Sequence, residues 1–106
     1  MAKLTLNPNP TFKLKVKIPV PGKGNADVEF TFKHHSREKL TELMEIDSDD
    51  DISNQEYLAR FVSDWDLDDK FNEDNFKILL DSYPRAANAI MEAYTQEMVG
   101  AREKNY

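Results

Sequence analysis

The sequence predicts an α+β fold in which an amino-terminal antiparallel β-hairpin packs on a carboxy-terminal bundle of about four α-helices. Three observations predict it: two short runs where apolar and polar residues strictly alternate, a downstream half whose apolar residues recur at helical spacing, and cap residues where those helical runs begin. A chain of 106 residues has room for one core, so residues 1–106 are expected to form a single domain. It divides into a loose arm (1–10), the hairpin (11–34) and a helical part (36–104).

The arm, MAKLTLNPNP, contains two Asn-Pro dipeptides that mark turns and interrupt any element begun at Leu4. From Phe12 to Ile18 the alternation is strict. Phe12, Leu14, Val16 and Ile18 share one face, and Lys13, Lys15 and Lys17 share the other. Pro19 to Asn25 supplies the proline and glycine of a turn, after which Val28, Phe30 and Phe32 alternate with Asp27, Glu29, Thr31 and Lys33. The lysine row then faces Asp27 and Glu29. Cross-strand pairing, worth roughly 0.2–1 kcal/mol per pair, makes it a solvated face rather than a phosphate track. A hairpin alone is marginal in water and needs a cover for its Phe, Val and Ile face.

Helices supply that cover. Ser36 caps a first helix that carries Leu40, Leu43 and Met44 and ends by about Ile46. Ser53-Asn54-Gln55-Glu56 is a full capping box and predicts a second helix with Tyr57, Leu58, Phe61, Val62 and Trp65 on one side. Asn72, with Glu73 and Asp74 in the first turn, opens a third, where Phe76, Leu79, Leu80 and Tyr83 stand at i, i+3, i+4 and i+7. Pro84 cannot lie inside that helix but suits the first position of a fourth, so the chain bends at Tyr83-Pro84. There Ala87, Ile90, Tyr94, Met98 and Ala101 form a seam and Met91 lies beside it. Ala86, Ala89 and Ala93 admit a close neighbour, and Gly100 frays the end.

Composition excludes several classes of function. Six Phe, four Tyr and one Trp are too many for a disordered chain, while 32% charged residues and a mean hydropathy of -0.70 promise a solvated surface. No apolar run is long enough to span a bilayer, and the first residues show no apolar core with a cleavage site. A cytoplasmic protein without membrane contact is expected. The absence of cysteine excludes disulfides, thiol nucleophiles and cysteine-ligated zinc. The net charge of -6 is uneven: residues 1–35 carry six Lys against Asp27 and Glu29, and residues 36–106 carry eight basic against eighteen acidic groups. Twelve acids with only Arg60 and Lys70 among them, from Glu45 to Asp74, repel nucleic acid and favour a basic partner.

Candidate reaction centres fail one by one. Asp47, Asp49 and Asp51 occupy the first, third and fifth positions of an EF-hand loop, yet Ile52 stands where the turn needs glycine and Leu58 where a bidentate Glu is needed. Counted from Asp64, Asp69 replaces the glycine and Asn75 the glutamate. His34 and His35, the only histidines, project to opposite sides of a strand end and cannot assemble a nucleophile, base and orienting acid. Gly22 and Gly24 sit in a hairpin turn with no helix after them, which is not a phosphate loop. No catalytic residue, cofactor or metal is therefore expected. What remains is a surface for a partner: Trp65 between Asp64 and Asp66, then Phe71, and the Ile90, Met91, Tyr94, Met98 spacing that suits helix-in-groove recognition as well as a core.

From Trp65 the chain continues through acidic residues to Phe71 and then Asn-Glu-x-Asn (Asn72 to Asn75). Next come Leu-Leu-Asp-x-Tyr-Pro-x-Ala-Ala-x-Ala-Ile (Leu79 to Ile90), Ala93-Tyr94, and the ending Ala-Arg-x-Lys-Asn (Ala101 to Asn105). In this order the stretch Ser63–Asn105 resembles the tail assembly chaperones of long-tailed bacteriophages, closely over about the last forty residues and loosely over the hairpin. The resemblance implies a protein that binds the tape measure protein, keeps it soluble and helps recruit tail tube protein. It implies action in the bacterial host cytoplasm, absence from the finished virion, and no catalytic residues. Trp65, Phe71, Ile90, Met91, Tyr94 and Met98 are the residues expected to touch the client. An exposed hairpin edge leaves self-association open. A different reading, an acidic inhibitor or DNA mimic that binds a basic host protein, rests on the acidic block alone.

Overall fold

The computed structural model describes residue 6, residues 10–45 and residues 52–100. Its elements run β1 (Thr11–Val20), β2 (Gly24–Lys33), α1 (Arg37–Met44), α2 (Asn54–Leu58), β3 (Val62–Trp65), α3 (Glu73–Ser82) and α4 (Ala86–Val99). The fold class is the expected α+β arrangement, with the hairpin extended into a three-stranded antiparallel sheet of order β1-β2-β3.

The two alternating runs pair along their whole length, with Phe12 opposite Phe32, Val16 opposite Val28 and Val20 opposite Gly24. The turn between them is closed by Lys23 N donating to Val20 O at 2.9 Å, and Gly22 and Gly24 hold φ of 80° and 86°, a region that a Cβ disfavours. On the polar face Lys17 Nζ lies 3.3 Å from Asp27, an exposed pair that contributes little.

The second helix is shorter than its spacing predicts. Its capping box forms as expected: Glu56 N donates to Ser53 Oγ at 3.1 Å, and Ser53 N donates to Glu56 Oε1 at 3.0 Å. The helix nevertheless stops at Leu58. Phe61 lies beyond it, and Val62 to Trp65 form β3, antiparallel to β2. The register explains the mismatch, because Phe30 faces Trp65 while Phe32 faces Val62, so β3 advances by three residues where β2 advances by two. This bulge turns both Val62 and Trp65 to the inner face, three positions apart, which imitates helical spacing. A helix carried on through Asp64, Asp66, Asp68 and Asp69 would also crowd acids at the negative end of its dipole. In the strand and turn they find donors instead: Glu29 N donates to Asp66 Oδ1 at 3.0 Å and Trp65 N to Asp64 Oδ1 at 2.9 Å.

The helices cover the inner face of the sheet. Tyr94 of α4 stands in the middle with 0% exposure, its ring centroid 5.0 Å from that of Phe61 and 5.2 Å from that of Phe32. Its hydroxyl donates to Lys33 O at 2.8 Å, which ties α4 to the end of β2. Burial pushes this phenol up from 10 to about 12. The last carbonyls of α1 are satisfied from α2 and the turn after it: Arg60 Nη1 donates to Leu43 O at 2.6 Å and Tyr57 Oη to Met44 O at 3.3 Å. That places a cation at the helix end whose dipole favours one.

Asn72 caps α3 as expected, its Oδ1 accepting from Asn75 N at 2.8 Å. The chain bends at Tyr83-Pro84, but Pro84 sits in a turn closed by Ala86 N to Tyr83 O at 2.8 Å, and α4 begins at Ala86 rather than at the proline. The fixed φ of proline serves the second position of such a turn equally well. Gly100 does not fray the helix. It ends α4 as a left-handed cap at φ 64°, its N–H donating to Gln96 O at 3.0 Å. Most of the 1–10 arm, Ile46, the acidic loop with Asp47, Asp49 and Asp51, and Ala101 lie outside the described residues.

Candidate functional site

The site is built outward from Trp65, where β3 ends. The indole meets Phe71 and Phe76 edge to face, with centroids 5.1 Å and 5.9 Å away, and packs on Phe30 of β2 at 6.4 Å. Its Nε1 donates to Asp69 O at 2.7 Å, so the Asp66–Asp69 turn wraps the ring and holds it in place. Trp65 retains 8% exposure and lines a groove of about 370 Å³. One wall is the inner face of the hairpin near its turn, with Ile18, Val20, Ala26 and Val28. The other is a flank of α3, with Asn75, Ile78, Leu79 and Ser82, and Leu67 and Asp69 also line it. A second hollow of about 560 Å³ shares Val20 with the first and lies between the hairpin turn and the Pro84-Arg85 corner.

The mouth of the groove exposes apolar side chains. Ile78 is 59% exposed and Leu67 36%, although both belong to a wall whose floor is core. Each stands among carboxylates: Leu67 lies between Asp66 and Asp68, and Ile78 has Asp74 four residues before it and Asp81 three after it, its neighbours on the helix surface. Among the described residues the ion pairs are Lys17–Asp27 and Lys39–Glu42, so none of these rim acids is paired with a described cation.

The residues expected to touch a client fall in two places. Trp65 lines the groove, and Phe71 is half-buried against the indole. Ile90 and Tyr94 are fully buried in the core, while Met91 and Met98 are half-buried on α4. None of these four lines the groove. Leu67 and Ile78 escaped the sequence reading, although a signal existed. Ile78 is the one large apolar residue of α3 off the Phe76, Leu79, Leu80, Tyr83 stripe, and Leu67 is an apolar residue inside an aspartate run.

Other chemistry has little to stand on. Among the described residues no three His, Asp or Glu side chains are placed to hold a metal ion together. His35 shares a hydrogen bond of 3.0 Å between Nε2 and Arg60 O and lies edge-on to Phe61, which is a structural setting. Among the described residues no helix is long and apolar enough to cross a membrane.

Comparison with known families supplies the setting for this open apolar groove with its acidic rim. The family model described as phage tail assembly chaperone matches residues 1–105. The chain belongs to the phage tail assembly chaperone family. The match covers the hairpin as well as the helices. No curated protein and no solved structure matches the chain. A tail assembly chaperone works on other proteins, and its family describes an assembly role rather than a reaction.

Proposed function

We propose that this tail assembly chaperone binds the tape measure protein of its phage in the groove beside Trp65, keeps that client soluble in the host cytoplasm, and presents it to tail tube protein without entering the virion. The observation that supports this reading is the exposure of Ile78 and Leu67 at the mouth of an open groove. A long helical client with uncovered apolar surface aggregates, and a partner that takes this surface out of water removes the driving force. Covering the exposed part of Ile78 contributes about 1–2 kcal/mol to such a complex. In this reading Trp65 touches the client and Phe71 sets the angle of the indole. Ile90 and Tyr94 hold α4 on the sheet, and Met91 and Met98 offer a second, adaptable apolar strip. The rim acids keep coated clients dispersed by mutual repulsion.

The test is co-expression with the tape measure protein of its own phage genome. The expected result is a tape measure protein that moves from the pellet to the soluble fraction and co-purifies with the chaperone. A client that stays insoluble while the chain elutes alone contradicts the proposal.

A further inference from the structure

We infer that the groove selects a cationic amphipathic helix: an apolar ridge at i, i+3 or i+4 and i+7, flanked on both sides by Lys or Arg. This rests on the reading of the same groove as the client site, and it specifies the chemistry of the segment that enters.

Backbone geometry decides for a helix. The hairpin wall presents Ile18, Val20, Ala26 and Val28 as side chains from a sheet face; the edges of the hairpin, free along β1 and along β2 before Phe30, direct their N–H and C=O groups in the plane of the sheet and not from that face. The facing wall is a helix flank. An extended segment laid between them would bury N–H and C=O groups with no partners, whereas a helix satisfies its own. The wall from Asn75 to Ser82 is about 10 Å long at 1.5 Å per residue, which is the distance over which one i to i+7 ridge repeats.

Charge decides what flanks the ridge. Asp66 and Asp68 bracket Leu67, Asp74 and Asp81 bracket Ile78, and Asp69 lines the groove. Asp74 and Asp81 lie about 40–60° around α3 from Ile78, on the outer side of the rim away from Asn75 and Ser82, and Lys77 lies on that same side about 100° away, beyond the two carboxylates and farther from the mouth. A ligand ridge seated on Ile78 and Leu67 therefore sets its flanking positions against carboxylates on both sides, where basic residues are attracted and acidic ones repelled.

The test uses three synthetic tryptophan-free helical peptides of about 18 residues, read by Trp65 fluorescence and calorimetry. One has a leucine ridge flanked by lysines, one the same ridge flanked by glutamates, and one the lysine composition with its leucines scattered around the helix. The lysine-flanked ridge is expected to bind at least about tenfold more tightly than either control, to weaken about tenfold at high salt, and to weaken about tenfold again with Ile78→Ser. Equal binding by the glutamate peptide, equal binding by the scattered peptide, or an Ile78→Ser chain that binds as well as the original overturns the inference. So does peptide that fails to bind because a second copy of the chain occupies the groove. Ile78 is exposed, and an unchanged far-ultraviolet spectrum verifies that the variant is folded. A tape measure protein that the Ile78→Ser chain still captures in full defeats the groove inference and leaves the chaperone role standing. A clear lysine preference without capture of tape measure protein does the reverse.

Discussion

Replacing Tyr94 by phenylalanine tests how the helices are held on the sheet. The ring stays, so its contacts with Phe32 and Phe61 persist and only the bond to Lys33 O, 2.8 Å long, is lost. Removing a hydrogen bond from a buried group and leaving its acceptor unpaired costs about 1–2 kcal/mol, which is the expected loss near neutral pH. The same hydroxyl gives a second, opposite effect in alkali. The phenol titrates at 10 in the unfolded chain and at about 12 in the folded protein, where burial disfavours the phenolate. Between those values the folded protein keeps a proton that the unfolded chain has released. The stabilisation is thus fully present below pH 10 and is lost as pH rises towards 12, by up to about 1.4 kcal/mol per pH unit. Tyr94→Phe has no such group, so its deficit should shrink above pH 10 and disappear or reverse close to 12. Tyr57, also raised by burial, is common to both proteins and cancels in the difference. Urea titrations followed by far-ultraviolet ellipticity and Trp65 emission, from neutral pH to 11.5, measure both effects. An unchanged midpoint at pH 7 would mean that this bond does not hold α4 on the sheet, and pH profiles that run parallel would mean that burial does not raise the phenol.

Three further substitutions probe separate links. Ser53→Ala removes one bond of the capping box on α2 and should lower stability by about 1 kcal/mol, seen as a lower urea midpoint with an unchanged slope. Gly24→Ala should cost about 1–2 kcal/mol through backbone strain alone, because φ is 86° and an added Cβ meets nothing within 4 Å; a midpoint equal to the parent protein's would remove this account of the turn. Leu67→Ser together with Ile78→Ser, both at the exposed groove mouth, should change unfolding by less than about 0.5 kcal/mol yet abolish co-purification of tape measure protein. A pair that unfolds the protein would place these residues in the core instead.

How far the fold could be read from the residues depended on whether local pattern and tertiary pairing agreed. Phe12 to Ile18 and Val28 to Phe32 alternate because their strands pair without irregularity and one face is buried, so the pattern reports the structure directly. Asn72 and Ser36 cap helices for local reasons and are visible for the same cause. β3 was illegible because its bulge sets Val62 and Trp65 on one face at a separation of three, and a pattern of two becomes a pattern of three. The opposing clue lay in propensity: four aspartates from Asp64 to Asp69 suit turns and sit badly at a helix carboxy terminus.

The candidate site was legible only in part. Trp65 stands out in the sequence because aspartates surround it, and it lines the groove. The Ile90 to Met98 spacing fits a core seam better than a partner surface, and Ile90 and Tyr94 are buried. The groove itself joins residues from the hairpin turn, the Asp66–Asp69 turn and α3, which are brought together only by the third strand. No periodicity within one segment records such a meeting.

The most direct measurement is hydrogen exchange on the purified complex of this chaperone with its tape measure protein. New protection is expected at Trp65 to Lys70 and along the Asn75–Ser82 flank of α3, with Phe12 to Val16 of β1 unchanged. Protection confined to the Met91–Met98 stretch of α4, or to the outer face of the sheet, would contradict it.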